Sequence, residues 1–506
     1  MRRLFLPLVL LAILVAAVVL TQRADEDSDP GRATATSADP ALVTPILSAR
    51  RAPEWLRAPK SDSLLAEAVG IVLSSGTAPD DLCVLVQRDG EPIAANNTSA
   101  PIRGAELHRL ITAAVVNAAG SGSGFRTEIA FSKDAEIRVD EEDQTAELIG
   151  DIWIIGGGDP VLSTESYISR FGDDRAFTDF DLLAGDAIAA LQELNIVAVR
   201  GRVIGDETKY SPIERDYYND KVTINEETFR VWNRNDGGEN SVGPLAGLLL
   251  NDGFTSWPDE LDQSQNRRAS DPAVAVADSF DNMLEAVEIS VSRSPRSGEA
   301  PPLAERQTLA VIDSPPLADI IRRSLVDATT AEMLLKEFGI RSGSSPERAS
   351  AIFTLATTGF ALADLPFDVG QAATIYSDGS GRSDTNRANC DILHAAISDP
   401  EGIGAAVLTD AAASPVAACS ASNGELRVYV SANDTSTGVV GEFTAVNGER
   451  ITFVMLADDQ TRTESIDGAE PAGPYEFCNP LQAAMIDAIV GHPYGPKLDD
   501  LAPLAE

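Results

Sequence analysis

LRVYVSA (Leu426–Ala432), GEFTAV (Gly441–Val446) and ITFVMLA (Ile451–Ala457) follow one another near the end of the chain. Each is rich in β-branched and aromatic residues, and the last two are joined through Asn447 and Gly448, residues that tolerate the left-handed backbone of a tight hairpin. They read as three consecutive antiparallel strands. A matching pair lies toward the other end, where CVLVQRDGEPIAANN (Cys83–Asn97) reads as two short strands about a turn at Asp89 and Gly90. Helices flank both sets. Leu107, Leu110, Ile111, Ala114, Val115 and Ala118 keep helical spacing up to a break at Gly120. One long helical segment starts after Pro315 and Pro316 and runs to Gly339, and a final helix covers Pro480 to Val490. Strands at both ends with helices packed outside them make the fold class α+β.

Between these ends, residues 133–305 alternate strand-like runs, DIWIIGGGDP (Asp151–Pro160) and VRGRVIGD (Val199–Asp206), with helices such as Asp181–Leu194. They read as an inserted α/β region of one or two subdomains. GGGDP reads as a tight turn ending a strand, because no Gly-Lys-Ser/Thr follows to cradle a phosphate. The polar stretch Ser256–Asp271 reads as a loop. At the N-terminus, Met1, Arg2 and Arg3 precede an uncharged apolar run from Leu4 to Leu20. This is an export signal over residues 1–23, either a cleaved signal peptide or an anchor in the cytoplasmic membrane. Basic residues before it and acidic ones after it direct the rest of the chain outward. Residues 24–41, rich in Asp, Ser, Thr, Ala and Pro, read as a disordered tether.

The formal charge is -39, with 78 acidic against 39 basic residues spread along the sequence. Such a surface repels nucleic acid and anionic lipid, which excludes a nucleic-acid partner and leaves only the N-terminal segment to meet a membrane. Cys83, Cys390, Cys419 and Cys478 are too far apart for a CxxC motif; in an exported chain they allow two disulfides in three pairings, and spacing does not choose among them. His108, His394 and His492 have no metal-ligand spacing, so neither a metal nor another cofactor is expected.

A collinear set of strings carries a resemblance: RLITAAVVNAAG (Arg109–Gly120), FRTEIAF (Phe125–Phe131), IIGGGDPVLST (Ile154–Thr164), VRGRVIGDETKY (Val199–Tyr210), VGPLAGLLLNDG (Val242–Gly253), DPAVAVADSF (Asp271–Phe280), DSPPLADIIRRSL (Asp313–Leu325), TTAEMLLKEFG (Thr329–Gly339) and DGSGRSDTNR (Asp378–Arg387). Taken together the chain resembles the D-alanyl-D-alanine carboxypeptidase/endopeptidase family of class C low-molecular-mass penicillin-binding proteins. The resemblance implies a penicillin-recognising domain, an antiparallel sheet flanked by helices, assembled from residues 42–132 and 306–500 and interrupted by the insert.

It also implies a serine acyl-enzyme built from SxxK, SxN and KTG motifs. Alignment on RLITAA puts the nucleophile position at Glu106 and its lysine at Arg109. The second motif falls on Val326, Asp327 and Ala328, and the third near Tyr429, Val430 and Ser431. A carboxylate attacking an amide would have to form an anhydride, and a guanidinium with a pKa above about 12 cannot accept a proton near neutrality. The chain's six lysines (Lys60, Lys133, Lys209, Lys221, Lys336, Lys497) offer no rescue: none has serine three positions earlier, and none precedes Thr-Gly or Ser-Gly. No catalytic residue is therefore assigned.

Glu106 and Arg109 read first as a helix-start acid and an i,i+3 salt bridge. His108 reads as a surface or satisfied cleft residue. Asp378 and Ser380 line the cleft by resemblance; Ser380 is the best remaining serine, with His394 a weak partner for it. The functional reading is an inactive homologue that binds peptidoglycan stem peptides or cell-wall enzymes as an envelope scaffold or regulator. Beside it stand an active serine-type carboxypeptidase with rearranged residues and a purely structural envelope protein.

Overall fold

The computed structural model describes residues 53–74, 81–120, 124–171, 176–224, 226–233, 242–256, 267–365, 375–398, 408–410, 425–432, 436–458 and 480–493. The expected export signal, the tether, most of the expected 256–271 loop, Lys497, Cys419 and Cys478 lie outside them. The chain separates into two compact units, Met1–Leu56 and Arg57–Glu506; the account below concerns the second.

In chain order the elements are α1 (Pro53–Leu73), β1 (Asp81–Arg88), β2 (Glu91–Asn96), α2 (His108–Ala118), β3 (Arg126–Ser132), β4 (Glu136–Asp140), β5 (Thr145–Ile149) and β6 (Ile152–Ile155). Then come α3 (Phe180–Glu193), β7 (Ile196–Val199), β8 (Val203–Asp206), α4 (Pro272–Ala286), β9 (Ser290–Val291), β10 (Arg296–Ser297) and β11 (Arg306–Asp313). The C-terminal part holds α5 (Leu317–Ser324), α6 (Ala328–Arg341), α7 (Cys390–Ser398), β12 (Thr409–Asp410), β13 (Glu425–Ala432), β14 (Ser436–Thr444), β15 (Arg450–Asp458) and α8 (Pro480–Val490).

Both ends of the chain meet in a six-stranded sheet of order β12-β13-β14-β15-β1-β2, whose pairs are all antiparallel. The hairpin chemistry works as the residues dictate: Asp89 and Gly90 both take positive φ, and so does Gly448. Alternation along β1 serves two cores. Leu82, Val84 and Val86 face α1 and α8, whereas Cys83 and Leu85 face the layer of α2, α5, α6 and α7. In α2, Leu110, Ile111 and Val115 are fully buried, each worth about 1.5–3 kcal/mol. A disulfide joins Cys83 on β1 to Cys390 at the start of α7, across 307 residues of sequence.

The middle of the chain forms two mixed sheets, β10-β8-β6-β3-β11 and β9-β7-β5-β4. In the first, β8 runs parallel to β6 and β10, while β3 is antiparallel to β6 and β11. α3 and α4 close its core through Phe180, Leu183, Phe280 and Leu284.

The segment expected as one helix from Leu317 to Gly339 is two. α5 ends at Ser324, and α6 restarts where the Asp327 carboxylate caps the Thr330 N–H. Apolar spacing continues through the break, but the N-cap geometry of Asp327 wins there. In the short link Leu325–Asp327, the Leu325 carbonyl thereby stays free to accept from Arg109 and from Tyr429 of the sheet.

Candidate active site

Glu106 sits in a single 3-10 turn (Ala105–Leu107) that leads into α2. The residue before it, Ala105, has φ of 42°, a left-handed conformation that an L residue adopts at a cost of about 1–2 kcal/mol. Gly381 of the DGSG loop presses on this turn. A Cβ there would lie 1.9 Å from the Ala105 carbonyl oxygen, and its φ is +77°, so glycine is required twice over.

Arg109 lies one turn further on, its side chain 7 % exposed. Its Nε donates to the Ser380 carbonyl at 3.0 Å, Nη1 to the Leu325 carbonyl at 2.9 Å and Nη2 to Glu106 Oε1 at 2.9 Å. Burial opposes its charge, but Glu106 first, then Tyr429, Asp327 and Asp378, outweigh that and hold its pKa above arginine's ordinary value. It is a permanent cation. From the sheet side, Tyr429 Oη donates to the same Leu325 carbonyl at 2.7 Å, and the Glu106 N–H donates to Ser431 Oγ at 3.2 Å. Burial raises the Tyr429 pKa, so its phenol stays protonated.

Glu106, Tyr429, Ser431 and the carbonyls of Leu325 and Ser380 are thus gathered in one place, with Arg109 as the hub. Val326 projects into solvent, 64 % exposed, and Ala328 opens α6; neither carries a polar side chain. Asp327 is a cap and a salt-bridge partner of Arg323 at 3.1 Å. Ser380 and Ser431 are buried. Lys133, Lys209 and Lys336 donate to carbonyls or to Glu337 and Glu214, not to a serine hydroxyl.

Asp378 is the keystone of its loop rather than an open cleft group. Its carboxylate accepts from Gly381 N–H, Ser383 N–H, Asn386 Nδ2 and Trp232 Nε1, at 2.7 to 2.9 Å. Behind it, Glu332 of α6 accepts the N–H groups of Gly379 and Ser380. Burial and the Asp378 charge push the Glu332 pKa up to about 8. Neither partner was legible in sequence, where Glu332 is one acid in a helix and Trp232 lies 146 residues from Asp378.

His108 differs from both environments expected for it. It is fully buried against Tyr376, with ring centroids 5.6 Å apart, and neither ring nitrogen completes a hydrogen bond. Burial lowers its pKa to about 4, so it is a neutral packing residue. His394 is taken up by Thr452 at 2.8 Å and Ser398 at 3.0 Å. One other constellation has relay order: Ser61 Oγ lies 3.1 Å from His492 Nδ1, whose Nε2 is 2.8 Å from Glu449. Ser61 is 1 % exposed, which closes it to substrate and makes the chain of bonds a fastening between α1 and the C-terminal segment.

Residues 257–449 match the family model described as the D-Ala-D-Ala carboxypeptidase 3 (S13) family. No curated relative matches the chain. Among solved structures, penicillin binding protein 4 (dacB) from Haemophilus influenzae aligns with a TM-score of 0.56 and 14 % identity, covering 83 % of this chain and 98 % of that one. The same protein complexed with a β-lactam aligns with a TM-score of 0.52 and 13 % identity over the same shares. At such identity the likeness speaks for the fold, an α+β penicillin-binding architecture. The chain is thus similar to the S13 D-Ala-D-Ala carboxypeptidases over residues 257–449, and it shares the fold of penicillin binding protein 4.

Proposed function

We propose that the chain is a D-Ala-D-Ala carboxypeptidase-like protein of the cell envelope that has lost peptidase chemistry and serves as a scaffold or regulator, holding peptidoglycan stem peptides or cell-wall enzymes. In this reading residues 42–132 and 306–500 form the peptidase-like part around the insert 133–305, and the N-terminal segment exports and tethers it. The observation that carries the proposal is Arg109. By the resemblance Arg109 stands where the family has a proton-accepting lysine, and its guanidinium is already committed to two carbonyls and to Glu106. It cannot accept a proton near neutrality, and the neighbour one turn before it is a carboxylate, not a serine hydroxyl.

The test is labelling of the purified protein with a fluorescent penicillin, followed by intact mass measurement, beside an active relative. No acyl adduct is expected. A stoichiometric adduct would favour the active, rearranged carboxypeptidase, and the modified residue would name its nucleophile.

A second reading, the structural envelope protein, draws support from the Tyr429 Oη to Leu325 O bond, which ties the sheet to the α5–α6 link across the place where a substrate would lie. Titration with a D-alanyl-D-alanine peptide separates the two. Saturable binding lost on changing Tyr429 supports the scaffold that holds ligand, and no binding supports the closed structural form.

A further inference from the structure

Away from Arg109, a cavity of about 250 Å³ lies between α4 and the turn at Asn251–Gly253. Pro272, Ala275 and Ser279 of α4 line one side of it, and Leu250 and Asn251 of the turn line another. Asn251 is 4 % exposed. Its Oδ1 accepts the Thr164 N–H at 2.8 Å and the Thr164 hydroxyl at 3.3 Å. A backbone N–H can only donate, so these bonds fix the amide with its oxygen toward Thr164. Nδ2 makes no hydrogen bond among the described residues and is not sealed off by protein, so its two N–H donors open on the cavity. The backbone φ of 56° explains why an asparagine suits this turn, and Oδ1 explains how it is anchored. Neither uses Nδ2.

The other polar groups of the cavity have the opposite hydrogen-bonding character. Asp278 is exposed, and one of its carboxylate oxygens accepts from Asn282 at 3.4 Å while the second meets no donor among the described residues. Ser279 and Thr255 spend their hydroxyl protons on the Ala275 and Arg267 carbonyls, which leaves their oxygens as acceptors. An anion is repelled here by Asp278 and by its helix neighbours Asp281 and Glu285, whose charges act on one another. A cation meets the Asn251 donors at the buried end. The ligand that fits is therefore neutral, with an acceptor for Asn251 and donors for the acidic side. Leu250, Pro272 and Ala275 supply apolar wall. Phe254 borders the cavity too, but the Arg268 guanidinium covers one face of its ring at 4.0 Å, so the ring serves as wall and not as a stacking surface. The volume lies below the range of about 300–1,000 Å³ that drug-sized ligands occupy and suits a single small ring.

We propose that this cavity binds a neutral N-acetylated sugar, its acetamido carbonyl accepting from Asn251 Nδ2, its methyl group against the apolar wall and its hydroxyls donating to Asp278 and Ser279. This stands apart from any ligand at Arg109. The test follows N-acetylglucosamine binding to the full chain by saturation-transfer NMR titration, with glucose, which lacks the acetamido group, in parallel. Saturable binding of the N-acetylated sugar is expected, with glucose weaker by about tenfold. Asn251→Asp keeps an oxygen for Thr164 and removes the donor, and should weaken binding by about tenfold. Ala275→Leu fills the cavity from a half-buried position on α4 and should abolish binding. Variants are scored only where they keep the wild-type melting curve, and the comparison of the two sugars on the unaltered chain stands without them. No saturable binding, glucose bound as tightly as N-acetylglucosamine, or binding that survives Ala275→Leu would each overturn the proposal.

Discussion

Replacing Arg109 by methionine removes the hub and keeps much of its stem volume. Two bonds from a charged donor to buried carbonyls, Ser380 O and Leu325 O, are lost together. Hydrogen bonds to charged groups contribute about 1.5–3 kcal/mol each. The third partner, Glu106, is 49 % exposed and regains water, so its ion pair adds under about 1 kcal/mol. The methionine returns part of the packing, which leaves an expected loss of about 3–5 kcal/mol for Arg109→Met. Glu106→Gln, by the same reasoning, costs under about 1 kcal/mol. Urea unfolding of the two single variants and the double variant measures both, and the double should be no worse than Arg109→Met alone, since the pair is already broken. If Arg109→Met unfolds with the wild-type midpoint, the guanidinium is not holding the DGSG loop and the α5–α6 link, and the argument that this position is structural collapses.

Removing the disulfide by Cys83→Ala with Cys390→Ala releases a closed loop of 307 residues; a loss of about 2–5 kcal/mol is expected in the same unfolding assay. Gly381→Ala drives a Cβ into the Ala105 carbonyl and forces an L residue to φ of +77°, costing about 2–4 kcal/mol; a wild-type melting curve would show that the loop can retreat. Glu332 sets a pH dependence of definite sign. In the unfolded chain its carboxyl gives up its proton near the ordinary 4.5, whereas the folded protein holds the proton until about pH 8, so between those values each rise in pH favours unfolding. Glu332→Gln should flatten that part of the urea midpoint against pH profile, and an unchanged slope would move the effect to other buried acids.

Period and punctuation made the framework legible. The alternation in β1 and the three C-terminal strands, the turn pairs Asp89–Gly90 and Asn447–Gly448, and the α2 stripe are local signals, and they sufficed for an antiparallel sheet with helices outside. The break in the 317–339 segment was hidden because apolar spacing runs straight through it; the cue was Asp327 three residues before Thr330, an N-cap arrangement. The Glu106–Arg109 salt bridge could be read because the two stand three residues apart in sequence. What they touch could not, since Arg109 reaches Leu325 and Ser380, 216 and 271 residues away. His108 shows the limit of residue-type reasoning: a histidine beside two charged residues suggests a cleft, yet the helix turns it inward against Tyr376.

The polar residues of this cluster are not independent of one another. An arginine alone at position 109 would be a buried charge among carbonyls, and Glu106 supplies the opposite charge within hydrogen-bond reach. Tyr429 then shares the Leu325 carbonyl with Arg109, and Ser431 takes the Glu106 N–H. A site prepared for a substrate leaves polar groups to be met by the ligand; here the groups meet each other, which lowers the cost of burying them. The closed set therefore accounts for two things at once. It explains how a buried guanidinium is kept in a folded core, and it implies that any ligand of this face must compete with internal bonds.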